Sequence, residues 1–119
     1  MSILFLEYPK CTTCKKAKAW LEASDVAFAD RHIAEENPSA AELGEWWKKS
    51  GLPLKKFFNT SGLLYKEQGL KDKLPLMDEQ SQLELLATNG MLVKRPLVIG
   101  EDFVLVGFKE SEWAETLKP

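Results

Sequence analysis

The sequence predicts an α/β fold built on a four-stranded mixed sheet, and three features of the chain support this prediction. Strand, helix and strand patterns follow one another in the first third of the chain, an order that favours two parallel strands joined by a right-handed crossover. A long segment of helical pattern comes next. The runs "RPLVIG" and "DFVLVGF" then flank a tight turn and predict an antiparallel hairpin, before a last helix beginning near Lys109 or Glu110.

The first strand, helix and strand can be bounded from the residue pattern. Ile3 to Glu7 is almost continuously apolar, as expected of a strand buried on both faces, and Pro9 ends it. Apolar side chains recur at helical spacing from Thr12 to near Asp25, with lysines on the opposite face. The apolar stretch Val26 to Ala29 predicts the second strand.

The middle of the chain, from about 37 to 90, predicts helices. Ser39 followed three residues later by Glu42 forms a capping box, and Gly51 is placed to end the helix that they open. Asp78 predicts the start of a further helix that we expect to stop at Gly90.

Length, composition and charge limit the functions that can be considered. With 119 residues the chain is expected to be a single domain, 1–119, of ordinary globular composition, 45% hydrophobic and 29% charged. The net charge of −2 argues against a general electrostatic hold on nucleic acid. The start "MSILFLEYPK" predicts neither a signal peptide nor a membrane span, so we expect a cytoplasmic protein that does not bind membranes.

The two cysteines lie three positions apart in "YPKCTTCKKAKAWLE", where a strand gives way to a helix. Backbone N–H groups at a helix start and nearby cations lower the pKa of a thiol, and Lys10 precedes Cys11. Thr12 and Thr13 can offer hydroxyl or backbone donors. Cys14, one turn into the helix, is expected to be more shielded. We therefore expect Cys11 to be the nucleophile and Cys14 the resolving thiol.

The cysteine pair has two other interpretations. The cysteines could be inert buried residues, or they could bind zinc. A structural zinc site needs four ligands, and beyond the pair the chain offers a single histidine, His32. His32 is expected at the surface or at the end of a strand, and no metal site is predicted.

The order of elements, with a CxxC motif heading the first helix, resembles the thioredoxin fold. In that fold the loop facing the CxxC motif commonly holds a cis-proline. The resemblance therefore implies a cis bond between Arg95 and Pro96, at the start of the predicted hairpin. Arg95 is expected to project toward the thiols and to hold a thiolate or an oxyanion, although a solvated charge at the start of a strand remains an alternative.

Over essentially its full length the chain resembles the ArsC/Spx/MgsR group of small bacterial thioredoxin-fold proteins. The matching segments are "YPKCTTCKKAKAWL", "KKFFNTSG", "YKEQGLKDKL", "LLATNGMLVKRPLVI" and "VGFKESEW". The resemblance implies the ArsC-like variant of the fold, with a helical insertion at about 37–90 between the halves of the sheet.

One branch of this group contains the glutaredoxin-linked arsenate reductases. The resemblance implies a nucleophile at Cys11 and an anion-binding arginine at Arg95. That branch uses two further arginines, whose positions here fall at about Asn59 and near Gly107, with Lys109 as the nearest cation. Because two guanidinium groups are missing, we expect a thiol-disulfide oxidoreductase rather than an arsenate reductase. Its electron donor would be a low-molecular-weight thiol such as glutathione, or a redox partner protein such as glutaredoxin or thioredoxin.

The Spx branch supports a different kind of function. Spx-type regulators carry the CxxC motif as a redox switch and bind the C-terminal domain of the RNA polymerase α subunit rather than DNA itself. The CxxC and "KRP" segments match this branch, whereas "KKFFNTSG" differs from it. The residues leave the choice between enzyme and redox-sensing regulator open.

Overall fold

The computed structural model describes residues 2–118, so the two ends of the predicted domain, Met1 and Pro119, lie outside the described residues. The strands form one four-stranded sheet in the order β2-β1-β3-β4. Their bounds are β1 Leu4–Glu7, β2 Ala29–His32, β3 Leu97–Ile99 and β4 Val104–Val106. The β1 and β2 strands are parallel, and the β1/β3 and β3/β4 pairs are antiparallel. The predicted mixed sheet of the thioredoxin-like fold is confirmed.

Helices cover both faces of this sheet. Their bounds are α1 Thr12–Ala23, α2 Ala40–Ser50, α3 Leu63–Glu67, α4 Leu70–Lys73, α5 Glu79–Leu86 and α6 Glu110–Leu117, with short 3-10 turns at Leu54–Phe57, Leu74–Leu76 and Gly90–Leu92. The helical segment between β2 and β3 is thus the insertion that the resemblance implied. No helix in the described part of the chain is long and apolar enough to cross a membrane.

The helix ends follow the predicted chemistry in α2 and at the start of α5. The Ser39 side chain accepts a hydrogen bond from the Glu42 amide, the Glu42 carboxylate accepts one from the Ser39 amide, and Gly51 ends α2 in the left-handed conformation. The Asp78 side chain accepts from the amide of Ser81 at the start of α5.

Two predicted boundaries are wrong. The second strand is Ala29–His32 rather than Val26 to Ala29. It is an edge strand whose residues are exposed or half-buried, so it needs no apolar sequence. Helix α5 ends at Leu86 rather than at Gly90. A side chain at Gly90 would overlap the carbonyl of Ile33, so this glycine allows two backbone segments to approach closely instead of ending a helix.

Each face of the sheet has its own hydrophobic core. On one face α1 and α6 cover a cluster that includes Phe5, Leu21 and the fully buried Trp113. On the other face the insertion covers a larger cluster around Leu6 and Phe57. The start of α1 shares a cavity with the turn after Phe58 and with the loop before β3, which is where Cys11 lies.

Candidate redox site beside Cys11

Cys11 occupies the N-cap position of α1, directly after the turn that follows β1. Its amide donates to the carbonyl of Tyr8 at 2.9 Å, and its own carbonyl accepts from the amide of Lys15 at 3.0 Å. These bonds fix the backbone on both sides of the residue. The Cys11 side chain is half-buried, so its sulfur lies at the surface end of the helix where a substrate can reach it.

Opposing effects act on the pKa of the Cys11 thiol. Burial raises this pKa, because removal from water disfavours the charged sulfur. The backbone N–H and the thiol of Cys14 act in the opposite direction and lower it. The Arg95 guanidinium and the backbone N–H of Thr13 lower the pKa further, and the result lies below the ordinary value of 9.0. Cys11 is therefore the sulfur that ionises more readily.

Cys14 has the opposite environment. Its side chain is fully buried, and its sulfur accepts a hydrogen bond from the Tyr8 amide at 3.5 Å. Burial raises the pKa of the Cys14 thiol to about 12, because the hydrogen bond from Tyr8 offsets only part of the desolvation and the Cys11 sulfur adds to the rise. Both cysteines are free thiols in this structure. The arrangement couples an ionisable outer sulfur to a protonated inner one.

The Arg95 guanidinium lies near the Cys11 thiol and over the aromatic ring of Tyr8. Its guanidinium carbon is 5.2 Å from the centre of that ring. The Nε and Nη1 atoms of Arg95 are buried and have no hydrogen-bond partner among residues 2–118. The Arg95-Pro96 peptide bond is cis, which confirms the prediction. Two donors of the guanidinium therefore remain available to an anion.

A cavity of about 360 Å³ opens beside Cys11. Four segments line it: the start of α1, the turn after Phe58, the loop before β3 and the residues at and after the end of β4. The lining residues are Cys11, Thr13, Asn59, Ser61, Gly62, Lys94, Arg95, Val106, Gly107, Phe108 and Lys109. The described lining contains three cationic side chains and no acidic one.

The turn "NTSG" forms one wall of this cavity. It is attached to the loop before β3 by an antiparallel bridge between Phe58 and Val93 and by a 2.8 Å hydrogen bond from the Asn59 amide to the Leu92 carbonyl. A Cβ atom on Gly62 would lie 2.5 Å from the Asn59 side-chain nitrogen. Gly62 therefore lets the turn fold back tightly and keeps Asn59 at the cavity.

Gly107 shapes another part of the cavity wall. It has a φ of 75°, its amide donates to the carbonyl of Pro96 at 2.9 Å, and its carbonyl accepts from the Trp113 indole at 3.0 Å. A Cβ atom at this position would lie 3.3 Å from Cε of Lys94. The half-buried Lys94 side chain thus runs along the bare backbone of Gly107 and brings its charge to the cavity.

A buried acidic group lies at the end of β1, before the cysteine loop. Glu7 is 4% exposed and lies 3.5 Å from Lys18, which also binds Asp30 at 2.8 Å. Burial and the neighbouring Asp30 raise the pKa of Glu7 to about 7, while Lys18 opposes the rise. This carboxyl therefore changes its charge near neutral pH.

The structure brings some of the predicted site residues to the cavity and leaves others outside it. Cys11, Thr13, Asn59 and Arg95 line the cavity. Lys10 and Thr12 are exposed and do not line it, Cys14 lies behind Cys11, and the buried Pro96 is held through its carbonyl.

Sequence analysis missed Lys94, Ser61 and the ring of Tyr8. Lys94 directly precedes Arg95 in "KRP", and this position beside a predicted site residue was a signal that could have been used. His32 ends β2 as expected, and its Nδ1 accepts from the amides of Ala34 and Glu35. Its ring packs edge-on against Tyr8, 5.7 Å away.

Comparisons with known proteins relate this chain to the ArsC family. The model of the ArsC family matches residues 6–116. The chain is 56% identical to the uncharacterized protein YusI of Bacillus subtilis over 97% of this chain and 98% of YusI. It is 33% identical to the global transcriptional regulator Spx of Listeria innocua over 87% of this chain and 78% of Spx. A crystal structure of an ArsC family related protein from Bacteroides fragilis matches with a TM-score of 0.95 and 58% identity, covering 99% of this chain and 98% of that one.

Proposed function

We propose that this chain, which belongs to the ArsC family, is a thiol-disulfide oxidoreductase that acts through Cys11 and Cys14. The single observation that carries the proposal is the contrast between the two sulfurs. Cys11 is half-buried with a lowered pKa, whereas Cys14 is fully buried with a pKa raised to about 12. A nucleophile must be ionised and accessible, and a resolving thiol must stay unreactive until a mixed disulfide forms.

The reaction has two exchange steps. The Cys11 thiolate attacks one sulfur of a substrate disulfide, a bond forms between them, and the other substrate sulfur leaves as a thiolate. The Cys14 thiol then loses its proton to solvent and attacks the Cys11 sulfur, which releases the second substrate thiolate. The substrate disulfide is reduced to two thiols and the protein pair is oxidised to a disulfide. A dithiol reductant reverses the oxidation of the pair.

Trapping the mixed disulfide tests this proposal. The Cys14→Ser variant, treated with a small disulfide, should accumulate one covalent adduct on Cys11, measured by intact mass spectrometry. Wild type should pass through the adduct to an internal disulfide. Cys11→Ser is the matched control, and it should form an adduct much more slowly than Cys14→Ser. Equal adduct formation in Cys11→Ser and Cys14→Ser would contradict the assigned roles.

The electron donor belongs to the same proposal. A low-molecular-weight thiol such as glutathione, or a dithiol protein of the glutaredoxin or thioredoxin class, would supply electrons in a reducing compartment such as the cytoplasm. The recovery rate of free thiols in the oxidised protein with each donor identifies which of them works.

A redox-sensing regulator is a second candidate function. The observation in its favour is the 33% identity to a global transcriptional regulator over 87% of this chain. In this case oxidation of the pair would change affinity for the C-terminal domain of the RNA polymerase α subunit. A pull-down with that domain, using the oxidised and the reduced protein, tests it, and absence of binding in both states excludes it.

Arsenate reduction is not what we propose for this site. At the cavity Arg95 is the only guanidinium in the described lining, and Asn59 and Gly107 supply no positive side chain. A coupled assay with glutathione, glutaredoxin and NADPH should therefore show no arsenate-dependent NADPH consumption. Arsenate-dependent consumption that is lost in Cys11→Ser would overturn this expectation.

A further inference from the structure

The cavity beside Cys11 has more positive charge than thiolate stabilisation requires. Lys94, Arg95 and Lys109 all line it, and none of the three forms an ion pair with an acidic side chain among residues 2–118. Of these cations Arg95 is the one that acts on the pKa of Cys11. The two lysines are therefore free to bind something other than the sulfur.

Two of these cations, Lys94 and Arg95, are half-buried, whereas Lys109 is exposed at the edge of the cavity. The Lys94 side chain lies along Gly107, where a Cβ atom would be 3.3 Å from its Cε. Arg95 presents two buried donors with no partner in the described chain, and burial without a partner is costly for a polar atom. An anionic group in the cavity would satisfy these donors.

The size of the cavity indicates what kind of anion fits. Its volume of about 360 Å³ falls in the range of pockets that enclose small molecules. Cys11, Lys94 and Lys109 line the same cavity, so an occupant bonded to the Cys11 sulfur would lie beside the two lysines. A carboxylate on such an occupant could accept charge-assisted hydrogen bonds from them.

We propose that the cavity binds the carboxylate-bearing half of a small-molecule disulfide, and that Lys94 and Lys109 determine this specificity. The inference rests on the proposed function of the cysteine pair. Cys11 attacks the sulfur of the carboxylate-bearing half, the disulfide bond of the substrate breaks, and the other half leaves as a thiolate that takes a proton from water. The acidic half remains in the cavity as a mixed disulfide.

Resolution completes the electron balance. The Cys14 thiol gives its proton to solvent, its sulfur attacks Cys11, and the acidic thiol is released. One small disulfide becomes two thiols while the protein pair becomes a disulfide, and a dithiol returns the pair to its reduced form. In this scheme the lysines act on recognition of the substrate, not on the electron transfer.

The test compares disulfides of different charge in the Cys14→Ser background, where the Cys11 adduct persists. The probes are glutathione disulfide, whose halves carry a net negative charge, bis(2-hydroxyethyl) disulfide, which is neutral, and cystamine, which is positive. Second-order rate constants for adduct formation are measured by mass spectrometry. Each is divided by the rate of the same probe with 2-mercaptoethanol, which removes differences in intrinsic reactivity.

The ratio of the normalised anionic rate to the neutral rate isolates recognition. A change in the pKa of Cys11 alters both rates together and leaves the ratio unchanged. We expect the anionic probe to react about tenfold faster than the neutral one, and cystamine to react most slowly. Lys94→Gln and Lys109→Gln should each reduce the ratio by about twofold, and the double variant should reduce it by about fourfold, because the Arg95 guanidinium still favours an anionic occupant.

Lys73→Gln is the matched control, because Lys73 is exposed on α4 and does not line the cavity. It should leave the ratio unchanged. Equal rates for the three probes in the parent protein, an undiminished ratio in the double variant, or an equal loss in Lys73→Gln would each overturn this inference alone. Absence of any Cys11 adduct with all three probes would overturn the proposed function as well.

Discussion

The surroundings of Cys11 and the surroundings of Cys14 differ sharply although the two residues are one helical turn apart. Cys11 lies at the cavity, where the backbone N–H groups at the start of α1 and the Arg95 guanidinium favour its thiolate. Cys14 faces the interior, where burial keeps its thiol protonated. Because the two residues are chemically identical, the division of roles within the CxxC motif comes from what packs around each sulfur.

The largest expected effect is the difference in reactivity between the two sulfurs. With a pKa of about 12 for Cys14 and below 9.0 for Cys11, the Cys14 thiolate is at least about a thousandfold less populated at pH 7. The greater nucleophilicity of a more basic thiolate offsets part of this difference, and burial of the sulfur adds to it. Iodoacetamide should label Cys11 at least about a hundredfold faster, as measured by peptide mapping of the reduced protein at low conversion. Comparable labelling of both residues would show that the two sulfurs do not differ in reactivity.

The second prediction concerns the protein interior at the end of β1, where Glu7 is buried beside Asp30. Because the folded pKa of Glu7 is raised to about 7 from an ordinary value of 4.5, its protonation favours the folded state. That contribution is fully present below pH 4.5 and is lost as pH rises through about 7. Glu7→Gln should therefore raise the free energy of unfolding at pH 8 by up to about 3 kcal/mol and change it little at pH 4.

Urea unfolding of wild type and Glu7→Gln across this pH range measures the effect. Glu79→Gln is the control, since Glu79 is an exposed glutamate at the start of α5. A Glu7→Gln variant whose stability falls with rising pH as steeply as that of wild type would show that Glu7 does not titrate as described.

The third prediction tests the effect of Arg95 on the pKa of the Cys11 thiol at the cavity. Arg95→Gln removes a positive charge that lowers the pKa of the Cys11 thiol, so this pKa should rise above its value in the wild type. The pH dependence of Cys11 alkylation measures the pKa directly. Arg95→Lys keeps the charge but not the planar donor group, and it should give an intermediate value. An unchanged pKa in Arg95→Gln would mean that the helix start alone sets the reactivity of Cys11.

The smallest effect is expected at Lys10, the cation that directly precedes Cys11 in the sequence. Lys10 is exposed and does not line the cavity, so solvent and salt screen its charge. Lys10→Gln should leave the pKa of Cys11 close to that of the wild type, measured by the same alkylation profile. A shift in the pKa of Cys11 as large as that of Arg95→Gln would show that the exposed Lys10 also stabilises the Cys11 thiolate.

Much of the fold could be predicted because local patterns agree with the final structure. The capping box of Ser39 and Glu42, the strand before the cysteines and the hairpin after Pro96 all have signals that lie within a few residues. The β2 strand was misplaced because an edge strand lacks the apolar pattern of a buried one. The function of Gly90 was missed because its neighbour, Ile33, is far away in sequence.

The order of residues specifies the chemical groups of the site: two thiols at CxxC spacing, a strand-to-helix junction that places them, and an Arg-Pro pair in a later loop. Which thiol ionises, and which charges surround it, depends on the folded chain. Arg95, Lys94 and Gly107 reach Cys11 only after the hairpin folds back beside β1. The physical reason is that burial and charge act through distance in space, and neither can be read from the order of residues along the chain.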